Sequence, residues 1–320
     1  MRAVIPGGIG FLGANLAEVL SAQGHEIVVV GRKGSEKKRP QIAAHLEKIG
    51  ARLALLPRVE EKALAELGGD VYFYLIGKLT GSLQEFREAH VTLLEETARA
   101  AASIGARVVH VSSIGAIGGI KGLRPGSTVY EEEEHLSGER QHWSFYEVTK
   151  AEGERALVRM GKELKGRWSI LRPGFLIGGW GYHPEWRLFR RALPLRLAPR
   201  FGIGLPIVHV RDVAEILVEA GEGKYDGKWL HVVSPYYPEI GDLVMSGCRQ
   251  TNRRCLPLPL QPFGWLGAQL APLLLRLVPR GTLPALTLSQ LRFRYRYASR
   301  ILKREWRPVD TMVRDVLFWQ

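Results

Sequence analysis

The chain has 320 residues, 46% of them hydrophobic and 24% charged, with 45 Lys and Arg against 32 Asp and Glu for a net charge of +13. That length suggests about two domains and excludes a peptide, a disordered tail and a small disulfide scaffold. The two cysteines, Cys248 and Cys255, have neither redox-pair spacing nor the four ligands of a zinc site. They are expected to be plain thiols in a reducing compartment, and no metal is expected.

The opening MRAVIPGG enters a short apolar strand and then glycines, without the features of a secretory signal, so a cytoplasmic location is expected. Residues 255–275 carry no charge over 21 positions, close to the roughly 20 needed to span a bilayer. Pro257, Pro259, Pro262 and Pro272 interrupt them, and a spanning helix must satisfy its backbone internally. A helix lying on the inner membrane surface or covering a pocket is the reading that remains. Residues 251–320 hold twelve Arg or Lys against Glu305, Asp310 and Asp315, which is nine of the thirteen net charges. No zinc-finger spacing, RNP motif or helix-turn-helix accompanies them, so no nucleic-acid partner is expected.

Strand-like apolar runs at 3–6, 26–31, 52–56, 71–76, 107–112 and 168–171 alternate with helical segments, notably 12–23 and 83–103. This pattern predicts an α/β fold, a Rossmann-type doubly wound parallel sheet. Beyond 171, Pro and Gly mark loops, a Trp- and Arg-rich stretch follows, and strands return at 206–210 and 228–233. The predicted organisation is interleaved: 1–172 plus 207–233 form the nucleotide domain, and 173–206 plus 234–320 a smaller, mostly helical substrate domain.

The turn IPGGIGFLG puts Gly7, Gly8, Ile9, Gly10, Phe11, Leu12 and Gly13 between the first strand and the first helix. Glycines there allow a tight turn and close approach to a pyrophosphate, and the helix start offers free N–H groups. The second strand ends at Arg32 and Lys33, with Ser35 and Lys37 nearby, where an NAD site places a carboxylate. A guanidinium there pairs with a 2′-phosphate, so NADP is expected over NAD; the rival is a solvated basic loop.

Tyr146 and Lys150 stand four apart in a helical pattern, which puts them on one face. An ammonium beside a phenol lowers its pKa and fits it for proton exchange with a carbonyl or alcohol oxygen. Ser112 and Ser113 end the fifth strand, at the sheet edge where such folds bind ligands.

With these pieces in order, the chain resembles the extended short-chain dehydrogenase/reductase superfamily, which includes the NAD-dependent epimerase/dehydratase family. The matching segments are GGIGFLG, DVYFYLIG, VVHVSSIGAIGG, YEVTK, LRPGFLIG and VHVRDVAEI. The resemblance implies Ser113, Tyr146 and Lys150 as catalytic residues, Lys150 also holding the nicotinamide ribose, and Leu75, Ile76, Gly77 and Pro173 beside the nucleotide. Three positions depart from the pattern: Pro6 replaces a hydroxyl residue, Pro57 and Arg58 stand where an acid is common, and His90 occupies the place of a relay Asn, either as its substitute or as a packing residue.

The distal third, with LPLPLQPFGWLGAQLAPLLLRLVP and ILKREWRP, looks most like the 3β-hydroxysteroid dehydrogenase and dihydroflavonol reductase branch. That resemblance implies a lipophilic small-molecule substrate and NADP-linked interconversion of a carbonyl and a hydroxyl. Trp180, Tyr182, His183 and Trp186 are candidate cleft residues. Residues 262–300, and the basic stretch 186–201, are candidate membrane-surface contacts, against ordinary domain packing. Two rival functions are a sugar-nucleotide epimerase or dehydratase with tightly held NAD, and a non-catalytic nucleotide-binding scaffold at a membrane complex. A monomer or a homodimer through 84–103 and 146–163 is expected.

Overall fold

The computed structural model describes residues 1–131, 140–181 and 184–318. The apolar runs form seven parallel strands: β1 (Arg2–Pro6), β2 (Glu26–Arg32), β3 (Arg52–Leu56), β4 (Val71–Tyr74), β5 (Arg107–Val111), β6 (Trp168–Pro173) and β7 (Lys228–Val232). Their order is β7-β6-β5-β4-β1-β2-β3. Neighbouring residues point to opposite faces, and both faces are buried: Ala3 and Ile5 enter one core and Val4 the other, as Phe73 and Tyr72 do. Burial on both sides is why these strands read as unbroken apolar runs.

On the first face lie α1 (Phe11–Ala22), α2 (Pro40–Lys48) and, later in the chain, α6 (Val210–Gly221). The second face is covered by α3 (Leu93–Ser103) and α4 (Phe145–Arg159). After β1 the chain builds outward to β3, then crosses to β4 on the other side of β1. The carboxyl ends of β1 and β4 therefore flank a switch point, the place where open parallel sheets bind ligands.

Helix starts follow local rules. Ser144 and Glu147 form a capping box that opens α4, and Ser82 with Glu85 opens the short helix Leu83–Arg87; such a cap contributes about 1 kcal/mol. The single helix predicted over 83–103 instead contains a π turn, Glu88–Thr92, between Leu83–Arg87 and α3.

The rest of the chain adds α5 (Pro184–Ala192), α7 (Ile240–Gln250), α8 (Gln261–Leu274), α9 (Leu283–Phe293) and α10 (Val309–Phe318). Strand Ile207–His209 forms as predicted but pairs with Phe175–Ile177, outside the main sheet. Gly174 permits this, because a Cβ there would lie 2.2 Å from the Pro206 oxygen. The basic stretch 186–201 is not one helix: Pro194 stops it, and the chain passes through a turn at Leu193–Leu195 to the strand Leu197–Arg200, which pairs with Leu256–Pro259. Late in the chain, Leu302 joins the main core with Ile301 and Trp306 packed beside it.

Cys248 and Cys255 are paired as a disulfide, with Cα atoms 6.1 Å apart. This corrects the expectation of two plain thiols, and the argument for a reducing compartment drawn from them falls with it. The end of α7 and the turn after it fold Cys255 back onto Cys248, a juxtaposition that spacing alone does not reveal. Among the described residues no helix is long and apolar enough to cross a membrane.

Candidate active site

The chain leaves β1 through Gly7, whose φ is +83°, a conformation that favours glycine. A Cβ on Gly7 would lie 2.8 Å from the Ile76 nitrogen, and one on Gly13 would lie 2.1 Å from the Gly8 oxygen. Gly7 thus lets residues 75–77 press against the turn, and Gly13 lets α1 start directly beneath it. The Leu75 N–H donates to the Pro6 carbonyl at 2.9 Å and fixes this approach. Gly10 caps α1 with no side chain to occupy the first-turn N–H groups. The stretch from Gly7 through Gly8, Ile9, Gly10, Phe11 and Leu12 to Gly13 is a backbone cradle at the positive end of a helix, and it fits a dinucleotide pyrophosphate.

Arg32 and Lys33 are exposed at the end of β2, and the Ser35 hydroxyl donates to the Arg32 carbonyl at 2.6 Å. A third cation belongs here that the sequence reading missed. The Arg39 guanidinium donates to the Ile9 carbonyl at 3.1 Å and stands against Gly10. Nothing in the motif points to Arg39; the turn leading into α2 carries it back over the glycines.

Ser113 follows β5 and caps the 3₁₀ turn Ile114–Ile117, its hydroxyl accepting from the Gly115 N–H at 3.1 Å. Burial raises the pKa of the Tyr146 phenol, and the neighbouring Ser113 side chain opposes that rise. One turn along α4, the Lys150 ammonium donates to the Val111 carbonyl at 2.8 Å. Burial lowers its pKa to about 8, opposed by Glu154. The structure therefore brings Ser113, Tyr146 and Lys150 together at the carboxyl end of β5.

His90 lies in the π turn, fully buried, with its ring edge-on to Tyr146 at 5.5 Å between centroids. Its Nε2 accepts from the Lys78 N–H at 3.1 Å, so the neutral ring carries its proton on Nδ1 and donates to the Thr149 hydroxyl at 2.8 Å. Thr149 in turn donates to the Phe145 carbonyl at 2.7 Å. Burial holds the imidazole well below its usual range. Both ring nitrogens are hydrogen-bonded within the protein, one to the residue 78 backbone and one to α4.

Beneath the site, Glu154 is bound by Arg172 through two hydrogen bonds at 2.8 and 2.5 Å and by the Ser112 hydroxyl at 2.5 Å, with the pair only 1% exposed at each side chain. Its position four residues past Lys150 was a readable signal, since that spacing keeps it on the same helix face. Pro173 ends β6 next to Arg172, in register with Val232.

The cleft residues fare differently. Trp180 donates its indole N–H to Glu18 at 3.0 Å and packs on His45 at 4.5 Å between centroids, which ties it to α1 and α2 instead of to the Tyr146 group. Trp186 packs edge-on to Phe189 beside Ile177 and Met312. Tyr182 and His183 lie outside the described residues.

The family model described as NAD dependent epimerase/dehydratase family matches residues 3–229. The protein called Epimerase family protein SDR39U1 is 26% identical in Bos taurus over 73% of this chain and 75% of that one, and 26% identical in Homo sapiens over 81% and 84%. Among solved structures, gox2253 superposes with a TM-score of 0.75 at 21% identity, covering 99% of this chain and 97% of that one. A UDP-glucuronic acid 4-epimerase from Bacillus cereus in complex with NAD gives 0.64 at 17% identity, covering 81% and 88%. At those identities the two structures speak to the fold, a Rossmann-like parallel sheet flanked by helices. The glycine cradle, the Ser113–Tyr146–Lys150 group and the family match agree, and the chain belongs to the NAD-dependent epimerase/dehydratase family of extended short-chain dehydrogenases/reductases.

Proposed function

We propose that this chain moves a hydride at a secondary carbinol carbon and that its substrate is sugar-nucleotide-like, oxidised and reduced within one turnover as in an epimerase or dehydratase. The observation that carries the reaction type is the meeting of Ser113, Tyr146 and Lys150 beside the glycine cradle. The substrate class is supported by the names of the similar proteins, and it takes first place from the lipophilic-ketone reductase expected from the sequence.

A nicotinamide dinucleotide, when bound, supplies the hydride acceptor and donor. Tyr146 exchanges the proton with the substrate oxygen, and Ser113 donates a hydrogen bond to that oxygen. Lys150, cationic below about pH 8, lies one turn along α4 from Tyr146, whose pKa burial raises. Glu154 and Arg172 anchor the helix that carries both.

A second reading rests on one feature. Arg32 and Lys33 stand at the end of β2 and Arg39 lies on the glycine turn, cations suited to a 2′-phosphate, which favours NADP and net reduction of a lipophilic steroid-, flavonoid- or lipid-like ketone. NAD in the similar epimerase complex favours the first. Incubation with UDP- and GDP-sugars, and separately with NADPH and lipophilic ketones, distinguishes them. The first reading expects an isomerised or dehydrated sugar nucleotide with no net change in nicotinamide absorbance. The second expects NADPH consumption that Arg32→Asp and Arg39→Ala weaken. Tyr146→Phe lowers turnover about a hundred- to ten-thousandfold in either case with nucleotide binding retained; undiminished turnover in that variant ends both readings.

A further inference from the structure

Helix α8 is turned the wrong way for a helix that only completes a core. The residues it buries are small, Gly264, Ala268 and Ala271, with Leu275 just past its end, and their spacing makes one helix face. Gly264 sits so close to the protein that a Cβ would lie 2.0 Å from the Phe201 oxygen. The large side chains face outward: Phe263, Trp265, Leu266, Leu270 and Leu273 are exposed, and Leu277 beyond the end is 75% exposed. Single exposed leucines are ordinary, but a contiguous face of this kind marks an interaction surface.

Charge decides the occupant. Between Asp242 and Glu305 the sequence has no acidic residue and eleven Arg or Lys. Arg253 and Arg254 precede the helix and Arg276 follows it, all three exposed. A second copy of the chain would set like charge against like. A bilayer with anionic lipids offers acyl chains to the apolar face and phosphates to the arginines. At 14 residues the helix is roughly 21 Å long, short of the ~30 Å hydrocarbon core, and Pro262 and Pro272 fall within it. It is suited to lie in the interface, not to cross it.

We propose that α8 docks the protein on an anionic lipid surface, with Trp265 and its neighbours at the acyl boundary and Arg253, Arg254 and Arg276 on headgroup phosphates. This goes beyond the catalytic reading and does not depend on it. It has a consequence for the site: Arg280, after the helix, donates to the Trp143 carbonyl at 2.8 Å and accepts from the Phe145 N–H at 2.9 Å. The docked segment is thereby joined to the first turn of α4, which carries Tyr146.

The test is co-sedimentation of the full chain with vesicles of phosphatidylcholine alone or of equimolar phosphatidylcholine and phosphatidylglycerol, together with tryptophan emission. Binding to the mixed vesicles only, weakened by salt and accompanied by a blue shift, is the expected result. Trp265→Ser combined with Leu266→Ser should weaken it at least about tenfold, and each of Arg253→Gln, Arg254→Gln and Arg276→Gln about fivefold. These positions are exposed, so circular dichroism should stay unchanged. Failure to bind the mixed vesicles, equal binding to phosphatidylcholine alone, or unaltered binding by the Trp265/Leu266 variant would overturn the proposal. Dimerisation abolished by that variant, without vesicle binding, would assign the face to a second copy.

Discussion

Lys150 shows what a buried cation in the candidate site costs in stability. Burial lowers its pKa from 10.5 to about 8. Below pH 8 both folded and unfolded chains hold the proton, and the buried ammonium costs its full penalty. Between about 8 and 10.5 the native lysine is neutral while the unfolded one is still charged, so stability rises with pH across that window. The gap corresponds to about 3 kcal/mol. Lys150→Met should therefore stabilise the nucleotide-free protein at pH 7 by up to that amount, with the advantage fading towards pH 10.5; paired thermal melts at the two pH values check it. Tyr146 and Lys150 were legible because four-residue spacing on a helix is a local property. Arg39 and the two-sided bonding of His90 were not, because each depends on a partner distant in sequence, Ile9 in one case and Lys78 with Thr149 in the other.

The crossing of α4 over the π turn is the element-level counterpart. Gly153 permits it: a Cβ there would lie 2.3 Å from the His90 carbonyl oxygen. Gly153→Ala must push α4 away from the turn, at about 1–3 kcal/mol. Because Tyr146 rides on α4 while Ser113 is held by β5, kcat should fall more than nucleotide affinity. Urea unfolding and steady-state kinetics on the same preparation measure both effects. The sequence shows the helical period over 83–103 but not the π turn within it, a rare single-turn feature of the backbone with no residue signature of its own.

Across the molecule, two quoted segments of sequence meet. Asp212, from VHVRDVAEI, is fully buried and pairs with Arg307, from ILKREWRP; Glu215 binds Arg304 at 2.5 Å and Arg307 at 2.6 Å. The C-terminal segment thus straps α6, and Leu302 sits in the main core. Arg307→Met would remove the guanidinium from Asp212 and from both Glu215 oxygens, leaving Asp212 the residue 307 backbone N–H and Arg304, and should destabilise the protein by about 1.5–3 kcal/mol, read as a lowered urea midpoint. A chain ended before residue 301 should fail to reach the native fold, seen as loss of cooperative unfolding, although the cut lies far along the sequence from the glycine cradle.

The sequence by itself determined the α/β class, the glycine turn, the order of the six main strands up to β6 and the four-residue spacing of Tyr146 and Lys150. These follow from backbone sterics at glycine, from burial periodicity and from helical spacing, all of which act over a few residues. Only the tertiary structure decided the disulfide between Cys248 and Cys255, the placing of Trp180 on α1 and α2, the pairing of Ile207–His209 outside the main sheet and the return of Leu302 to the main core. It also decided which face of α8 turns outward. A hydrophobic helix has apolar residues on every side, so its pattern cannot say which side is buried; here Gly264 is inside because a Cβ there would lie 2.0 Å from the Phe201 oxygen, and Ala268 and Ala271 share its buried face.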